Sequence, residues 1–166
     1  TLQTASTYQR GAYDKYMYNL KTYELVNIAP VEANLNLPYR ELGYVNYLIY
    51  TVDAPYLKEK EWREKIPFDV YAVDIHTGQS KLIGKEYREQ PKWSPSGEYV
   101  MMYDPHAKNW NKFDAKTGVV RNVSADIPYP VYDEIYDKPA PAPAYGIAGW
   151  TADGRYVFVR DAYDCV

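Results

Sequence analysis

Residues 70–78 read VYAVDIHTG, and residues 110–118 repeat this pattern as WNKFDAKTG. In both copies an alternating strand pattern ends at an aspartate, and a Thr-Gly pair follows. The aspartate can accept hydrogen bonds from its own turn, and glycine permits the left-handed backbone that reverses the chain. A weaker copy, YMYNLKTY, occupies residues 16–23. The unit is therefore predicted to be a hairpin, and its defining residues are Asp74, Gly78, Asp114 and Gly118.

A second repeated unit begins with tryptophan. Residues 93–100 read WSPSGEYV, and residues 150–157 read WTADGRYV. The pattern predicts a buried Trp at the end of one strand, a tight turn that closes on glycine, and a Tyr-Val strand that leads back. The structural repeat residues of this unit are Trp93, Gly97, Trp150 and Gly154.

The spacing of the two units predicts the architecture. The interval from Asp74 to Asp114 is 40 residues, and a period near 40 with two hairpins in each repeat is typical of a β-propeller blade. The expected fold is all-β, an incomplete β-propeller of about three four-stranded antiparallel blades. The blades are predicted at residues 1–33 (partial), 34–89, 90–145 and 146–166 (partial).

Two segments interrupt this pattern. Residues 124–145 contain five prolines, and because proline cannot donate to a sheet ladder, a Pro-rich loop lying over the blades is expected. Residues 58–65 are highly charged and are predicted to form a short helix or a solvated insertion. A strand pattern at residues 156–160 runs almost to the last residue, so the chain is expected to be a piece of a larger protein.

Composition excludes several classes of function. The chain of 166 residues has 19 basic and 22 acidic side chains, so it has no basic footprint for nucleic acid. No apolar run reaches the ~20 residues of a membrane helix. The single cysteine, Cys165, excludes an internal disulfide and a cysteine-based zinc site. No cofactor is predicted.

No catalytic or metal-binding residue is predicted in this chain. The nucleophile motif Gly-x-Ser-x-Gly is absent. Ser94 and Ser96 fall in a repeat turn, where serine initiates a bend, and His76 and His106 are also assigned to turns. The chain by itself is therefore not expected to be an enzyme.

The Pro-rich loop leaves two further alternatives open. Its carboxylates could hold calcium, although carboxylates in loops are usually hydrated; they are Asp126, Asp133, Glu134 and Asp137. Its aromatic rings could form a platform for sugar or peptide, although packing onto the blades is favoured. The candidate surface-binding residues are Tyr132, Asp133 and Glu134 in this loop, together with Trp110 outside it.

The repeats resemble those of a known family. The two units are similar to the repeats of TolB-like or WD40-like propellers and of the N-terminal propellers of prolyl oligopeptidase family serine peptidases. The segments DIPYPVYDE (126–134), YGIAGW (145–150) and DAYD (161–164) resemble the propeller region of exported, Bacteroidetes-type members of that family. The resemblance covers residues 34–166.

This resemblance implies a function and partners. The chain would belong to an exported, periplasmic serine peptidase, with the remainder of the propeller and a downstream hydrolase domain as its partners. It would gate or orient peptide substrates without taking part in bond cleavage. The alternatives are a TolB-like scaffold that binds proteins in the periplasm and a propeller that binds carbohydrate. Unpaired strand edges also predict that the isolated chain dimerises or otherwise covers these edges.

Overall fold

The computed structural model describes residues 14–38, 45–61 and 65–163. Expectations for the beginning of the first partial blade and for Cys165 lie outside the described residues. Within them the chain is all-β, as predicted, with short strands joined by tight turns. The strands are β1 (Lys15–Tyr18), β2 (Leu25–Ala29), β3 (Asn34–Asn36), β4 (Tyr47–Val52), β5 (Phe68–Asp74), β6 (Ser80–Tyr87), β7 (Lys92–Trp93), β8 (Tyr99–Asp104), β9 (Asn109–Asp114), β10 (Val120–Asn122), β11 (Ile147–Trp150) and β12 (Val157–Val159).

The strands form four antiparallel sheets in which chain neighbours are also sheet neighbours. In chain order, the first sheet is the hairpin β1–β2, the second is β3–β6, the third is β7–β10, and the fourth is the hairpin β11–β12. The middle strands of the second and third sheets share one register, since Tyr47 pairs with Asp74 and Tyr99 pairs with Asp114. Each sheet is open, and the described residues form no barrel.

Strand β8 shows that the sheets stack face to face. Val100 and Met102 belong to the larger core, which joins the first three sheets. Met101 and Tyr103 belong to a smaller core, which joins the third sheet to the fourth and to the Pro-rich loop. Because successive side chains of a strand point to opposite faces, the third sheet is covered on both sides. Burial of such a side chain stabilises the fold by about 1.5–3 kcal/mol.

Asp74 and Asp114 close the same turn at the ends of β5 and β9. In each turn the Asp Oδ1 accepts the backbone N–H groups of the second and third residues after it. The distances are 2.7 and 3.1 Å in the first turn and 2.9 and 3.0 Å in the second. Gly78 and Gly118 follow with φ of 72° and 70°. This is the left-handed backbone that glycine adopts without a steric penalty.

Two further hairpins use this turn without glycine. Asn19 after β1 and Asp104 at the end of β8 accept the equivalent N–H groups. The left-handed position is occupied by Tyr23, with φ of 61°, and by Lys108, with φ of 54°. The Lys108 ammonium lies 4.5 Å from the centre of the Tyr132 ring, a cation–π contact that offsets part of the backbone strain.

Replacement of Asp114 with alanine is expected to lower the free energy of unfolding at pH 7 by about 1–2 kcal/mol, because two N–H groups lose their acceptor. Asp114→Asn keeps an acceptor oxygen and is the matched control, with a smaller expected loss. Urea denaturation of the three proteins measures the difference.

The effect of Asp114→Ala is expected to depend on pH. Burial opposes ionisation of Asp114, but the N–H groups of Thr117 and Lys116 outweigh it and lower the pKa of the carboxyl below its usual value. A carboxyl with a lowered folded-state pKa stabilises fully above its unfolded pKa of about 4, and this stabilisation is lost as the pH falls through the folded value. The wild-type advantage over Asp114→Ala should therefore shrink in acid. An equal advantage at about pH 3 and at neutral pH would contradict a role for the ionised carboxylate.

The tryptophan-led turns also share their geometry. Trp93 and Trp150 end β7 and β11, and the hydroxyl of the next residue accepts the N–H five positions later, at 3.1 Å in both turns. Gly97 and Gly154 both have φ of 69°. The same local chemistry therefore begins the return strand in the third and fourth sheets.

The Pro-rich segment at residues 124–145 folds back onto the third sheet. Val131 is buried in the smaller core, and Ile127 and Tyr132 pack against it. Tyr132 also pairs with Ala144 across a short antiparallel bridge. The expectation of a loop that packs over its neighbouring sheet is confirmed.

The charged segment at residues 58–65 is predicted to be a short helix or a solvated insertion, and its described residues are mostly exposed. The helical turn lies earlier, as a 3-10 helix at Ala54–Glu59 with a proline in its first turn. The hydroxyl of Tyr56 donates to Asp69 at 2.6 Å, which fixes the helix on β5. Residues 62–64 lie outside the described part of the chain. Tyr56 is the buried residue of this helix, and residues 58 and 59 of the charged segment form its last turn.

Candidate functional site

A pocket of about 880 Å³ lies along the first strands of the second, third and fourth sheets. Its walls include the residues that follow β3, the short strand β7 with its flanking residues, and the end of β11. This volume is within the range of about 300–1,000 Å³ that is typical of ligand pockets. The side chains that define its character are Leu37, Pro38, Lys92, Trp93, Pro95 and Trp150.

Trp93 is fixed between the second and third sheets. Its ring packs against the larger core, and its Nε1–H donates to the backbone oxygen of Asn36 at 3.0 Å. The side chain of Asn36 donates in turn to the backbone oxygen of Pro91 at 3.3 Å. The indole is therefore held in one orientation, with part of its surface left to the pocket.

Trp150 provides the equivalent ring from the fourth sheet. It packs against the smaller core and remains partly exposed. The sequence predicted both tryptophans as repeat residues, but it did not predict that they line one pocket with Leu37. That arrangement depends on how successive sheets stack, which the local pattern does not encode.

The chemistry of this pocket is mainly apolar. Proline rings, Leu37 and two indoles supply its surface, and Lys92 is the charged side chain among the described residues that line it. Indole faces pack well against proline or aromatic rings, and an ammonium group can bind a carbonyl or carboxylate oxygen. The arrangement suits a short peptide with a ring-bearing side chain.

The structure corrects the prediction that Trp110 is a surface-binding residue. Its side chain is 1% exposed and packs against Tyr103, with ring centroids 5.5 Å apart. Trp110 faces the side of the third sheet that the Pro-rich loop and the fourth sheet cover. The carbohydrate-binding alternative depended in part on an exposed Trp110, so burial removes one of its supports.

The other candidate surface residues have different roles. Tyr132 is half-buried and packs against the same smaller core as Trp110. Asp133 donates its N–H to the backbone oxygen of Pro143 at 2.9 Å. Glu134 is exposed. Tyr132 and Trp110 are therefore brought together by packing rather than on a binding face.

The residues considered for catalysis lie in turns, as expected. The Ser94 hydroxyl is buried and accepts the N–H that begins the return strand. The Nε2 atom of His76 lies 3.2 Å from the side-chain oxygen of Asn46, and that of His106 lies 3.9 Å from Glu86. Within the described residues, no three His, Cys, Asp or Glu side chains group closely enough to share a metal ion.

Comparison with known proteins adds no family assignment. No family model matches the chain, and no curated protein or solved structure is significantly similar to it. In the described segments no helix has the length and apolar character of a membrane span.

Proposed function

We propose that this chain forms consecutive blades of a β-propeller in an exported prolyl oligopeptidase-like serine peptidase, where it admits and orients peptides. The observation that carries the proposal is the repetition of one unit, since the second and third sheets are four-stranded meanders with the same register between their middle strands. Propellers repeat such sheets around a central channel.

The two hairpins fit the same arrangement. The first sheet contains the turn that joins the third and fourth strands of a blade, at Asn19. The fourth sheet contains the turn that follows Trp150, which joins the first and second strands. The chain then spans about three blades, and because a closed propeller has roughly four to eight, the other blades come from the remainder of the parent protein.

In the proposed propeller, blades surround a central channel, and we place the first strand of each blade beside it. The pocket along β3, β7 and β11 would then open into the passage that peptides use. Trp93, Trp150 and Leu37 would hold a ring-bearing side chain, and Lys92 would hold a peptide oxygen. The contribution to catalysis is access and orientation, while the downstream hydrolase domain cleaves the bond.

Binding of a Phe-Pro-containing hexapeptide tests this proposal. We expect the chain to bind the peptide without cleaving it, and Trp150→Ala to weaken binding at least tenfold, because about 1.4 kcal/mol of ring contact corresponds to that factor. Isothermal titration calorimetry measures the affinity, and mass spectrometry checks that the peptide is intact.

Two further variants make the result decisive. Leu37→Ser changes a half-exposed wall residue outside the buried cores and should also weaken binding while the protein stays folded. Tyr163→Ala is the control, because Tyr163 is 97% exposed and is not part of the pocket wall. Absence of binding at millimolar peptide, or equal affinity in all four proteins, would reject the pocket as a peptide site.

A second candidate function is a TolB-like scaffold that binds a protein partner. It is favoured by five large apolar side chains of the first sheet that are at least half exposed, because exposed apolar patches mark contact surfaces; they are Tyr16, Tyr18, Leu20, Tyr23 and Leu25. A parent protein that ends where the propeller closes would favour the scaffold. A downstream Gly-x-Ser-x-Gly segment would favour the peptidase.

A further inference from the structure

We propose that a second pocket, with Arg88 as its anion-binding side chain, binds a carboxylate carried on an apolar body. This pocket has a volume of about 730 Å³ and lies between the residues after β6, the turn that joins β8 to β9, and the Pro-rich loop. It shares no lining residue with the pocket beside Trp93 and Trp150. The inference is therefore independent of the proposed function.

The first observation is an arginine that lacks an internal partner. Arg88 lines the pocket and is half-buried, and its Nε atom is buried without a hydrogen-bond partner. Nor does Arg88 take part in an ion pair within the described residues. A buried donor left unpaired costs about 1–3 kcal/mol, more when it belongs to a charged group, so natural proteins rarely leave one without a reason.

The neighbouring carboxylates are directed at other groups. Glu89 accepts the N–H of Ala144 at 2.9 Å, which ties the Pro-rich loop to the end of the second sheet. The carboxylate of Glu86 lies 3.9 Å from the His106 ring. Neither therefore supplies an acceptor to the Arg88 Nε–H, and none of the other described residues does so; a bound carboxylate would supply it.

The charge of the pocket favours a carboxylate over a phosphate. The planar guanidinium fork binds either group through two parallel hydrogen bonds. Besides Arg88, the wall carries two carboxylates, Glu86 and Glu89. Their negative charge repels a phosphate of about two charges more strongly than a singly charged carboxylate.

The opposite wall fits an apolar body. It is the alternating Pro-Ala segment at residues 139–143, whose prolines have no N–H to donate. The Tyr103 hydroxyl, which also lines the pocket, donates to the backbone oxygen of Ala142 at 3.0 Å. Burial and the nearby Glu89 raise the pKa of Tyr103, so this hydroxyl stays protonated and holds the segment in place.

Strained backbone at the pocket edge is an independent second observation. Glu86 has φ of 54°, and its N–H donates to the Asp69 carboxylate at 3.0 Å. The pairing of β5 with β6 is irregular nearby. Bulges of this kind re-aim side chains, and strained non-glycine residues concentrate at binding sites. Here the strain lies two residues before Arg88.

Titration calorimetry with 3-phenylpropionate, its amide and phenyl phosphate tests the proposal. We expect the carboxylate to bind at least tenfold more tightly than the amide and more tightly than the phosphate. Arg88→Gln should weaken carboxylate binding at least tenfold. Because Arg88 has no internal partner, this variant should be as stable as the wild type or more stable, which a structural role for Arg88 would not produce. Arg155→Gln, in an exposed turn outside this pocket, is the matched control and should bind normally.

A second titration distinguishes two sources of the carboxylate. If N-acetyl-Ala-Phe with a free carboxyl group binds more tightly than 3-phenylpropionate, the site takes peptide C-termini. If it binds equally or less tightly, the site takes a non-peptide acid. Equal binding of acid and amide, unchanged binding in Arg88→Gln, or no binding of either acid at millimolar concentration would overturn the proposal.

Discussion

Replacement of Trp110 with alanine is expected to lower the free energy of unfolding by about 3–5 kcal/mol, as for other fully buried aromatic side chains. The indole fills the smaller core between the third sheet, the Pro-rich loop and the fourth sheet. Its removal leaves a cavity beside Tyr103 and Val131, two side chains that are themselves buried. Urea denaturation followed by far-UV circular dichroism measures the loss.

Trp110→Phe is the matched control for this prediction. The Nε1–H of Trp110 is buried and has no hydrogen-bond partner. Removal of this unpaired donor stabilises the protein by about 1–3 kcal/mol, which offsets part of the packing energy that is lost with the smaller ring. The phenylalanine variant should therefore lie much closer to the wild type than the alanine variant. A Trp110→Ala protein as stable as the wild type would show that the ring is on the surface after all.

Gly78→Ala is expected to destabilise the protein by about 3 kcal/mol, from a left-handed backbone penalty of about 1 kcal/mol and a steric term of about 1–3 kcal/mol. A Cβ atom at Gly78 would lie 2.6 Å from the backbone oxygen of Asn27, and the residue has φ of 72°. The oxygen belongs to β2 in the neighbouring sheet, so the clash can be relieved only by moving the two sheets apart. Thermal and urea denaturation both report the effect.

Gly118→Ala separates the two contributions. Gly118 has nearly the same φ, 70°, but its Cβ would meet the ring of Tyr47 at 2.9 Å. Tyr47 is a side chain that can shift, so the steric part should be smaller and the total loss should be about 1–2 kcal/mol. Equal losses in the two variants would mean that the approach of β2 to the second sheet does not limit the space at Gly78.

The local part of the fold could be predicted from the sequence. Asp74 and Asp114, each followed by Thr-Gly, determine their turns through hydrogen bonds that span only a few residues. These hydrogen bonds join residues that are close together in the sequence, so the turns need no tertiary contact. The strands between the turns followed from their alternating pattern and their Tyr and Val content.

The position of Trp110 could not be predicted in this way. An alternating strand pattern identifies two faces, but it does not say whether one or both are covered. The structure covers both faces of the third sheet, because the Pro-rich loop returns across it. An exposed ring and a buried ring therefore have the same sequence signature at this position.

The two pockets were also beyond a sequence-based prediction. Leu37 and Trp150 are more than a hundred residues apart in the chain and meet only because successive sheets stack. Arg88 follows a strand in an ordinary charged stretch, and nothing in its neighbours signals that it lacks a partner. Long-range packing decides both features.

The third sheet is covered on both faces, and the second packs with the first and the third in the larger core. This arrangement has a consequence for how the molecule unfolds. Each inner layer depends on a neighbour at its front and another at its back, as in a row of stacked repeats. Loss of a terminal hairpin would expose one face of the adjacent sheet to water and lower the stability of that sheet. Fraying should therefore advance from the outside toward the middle of the row.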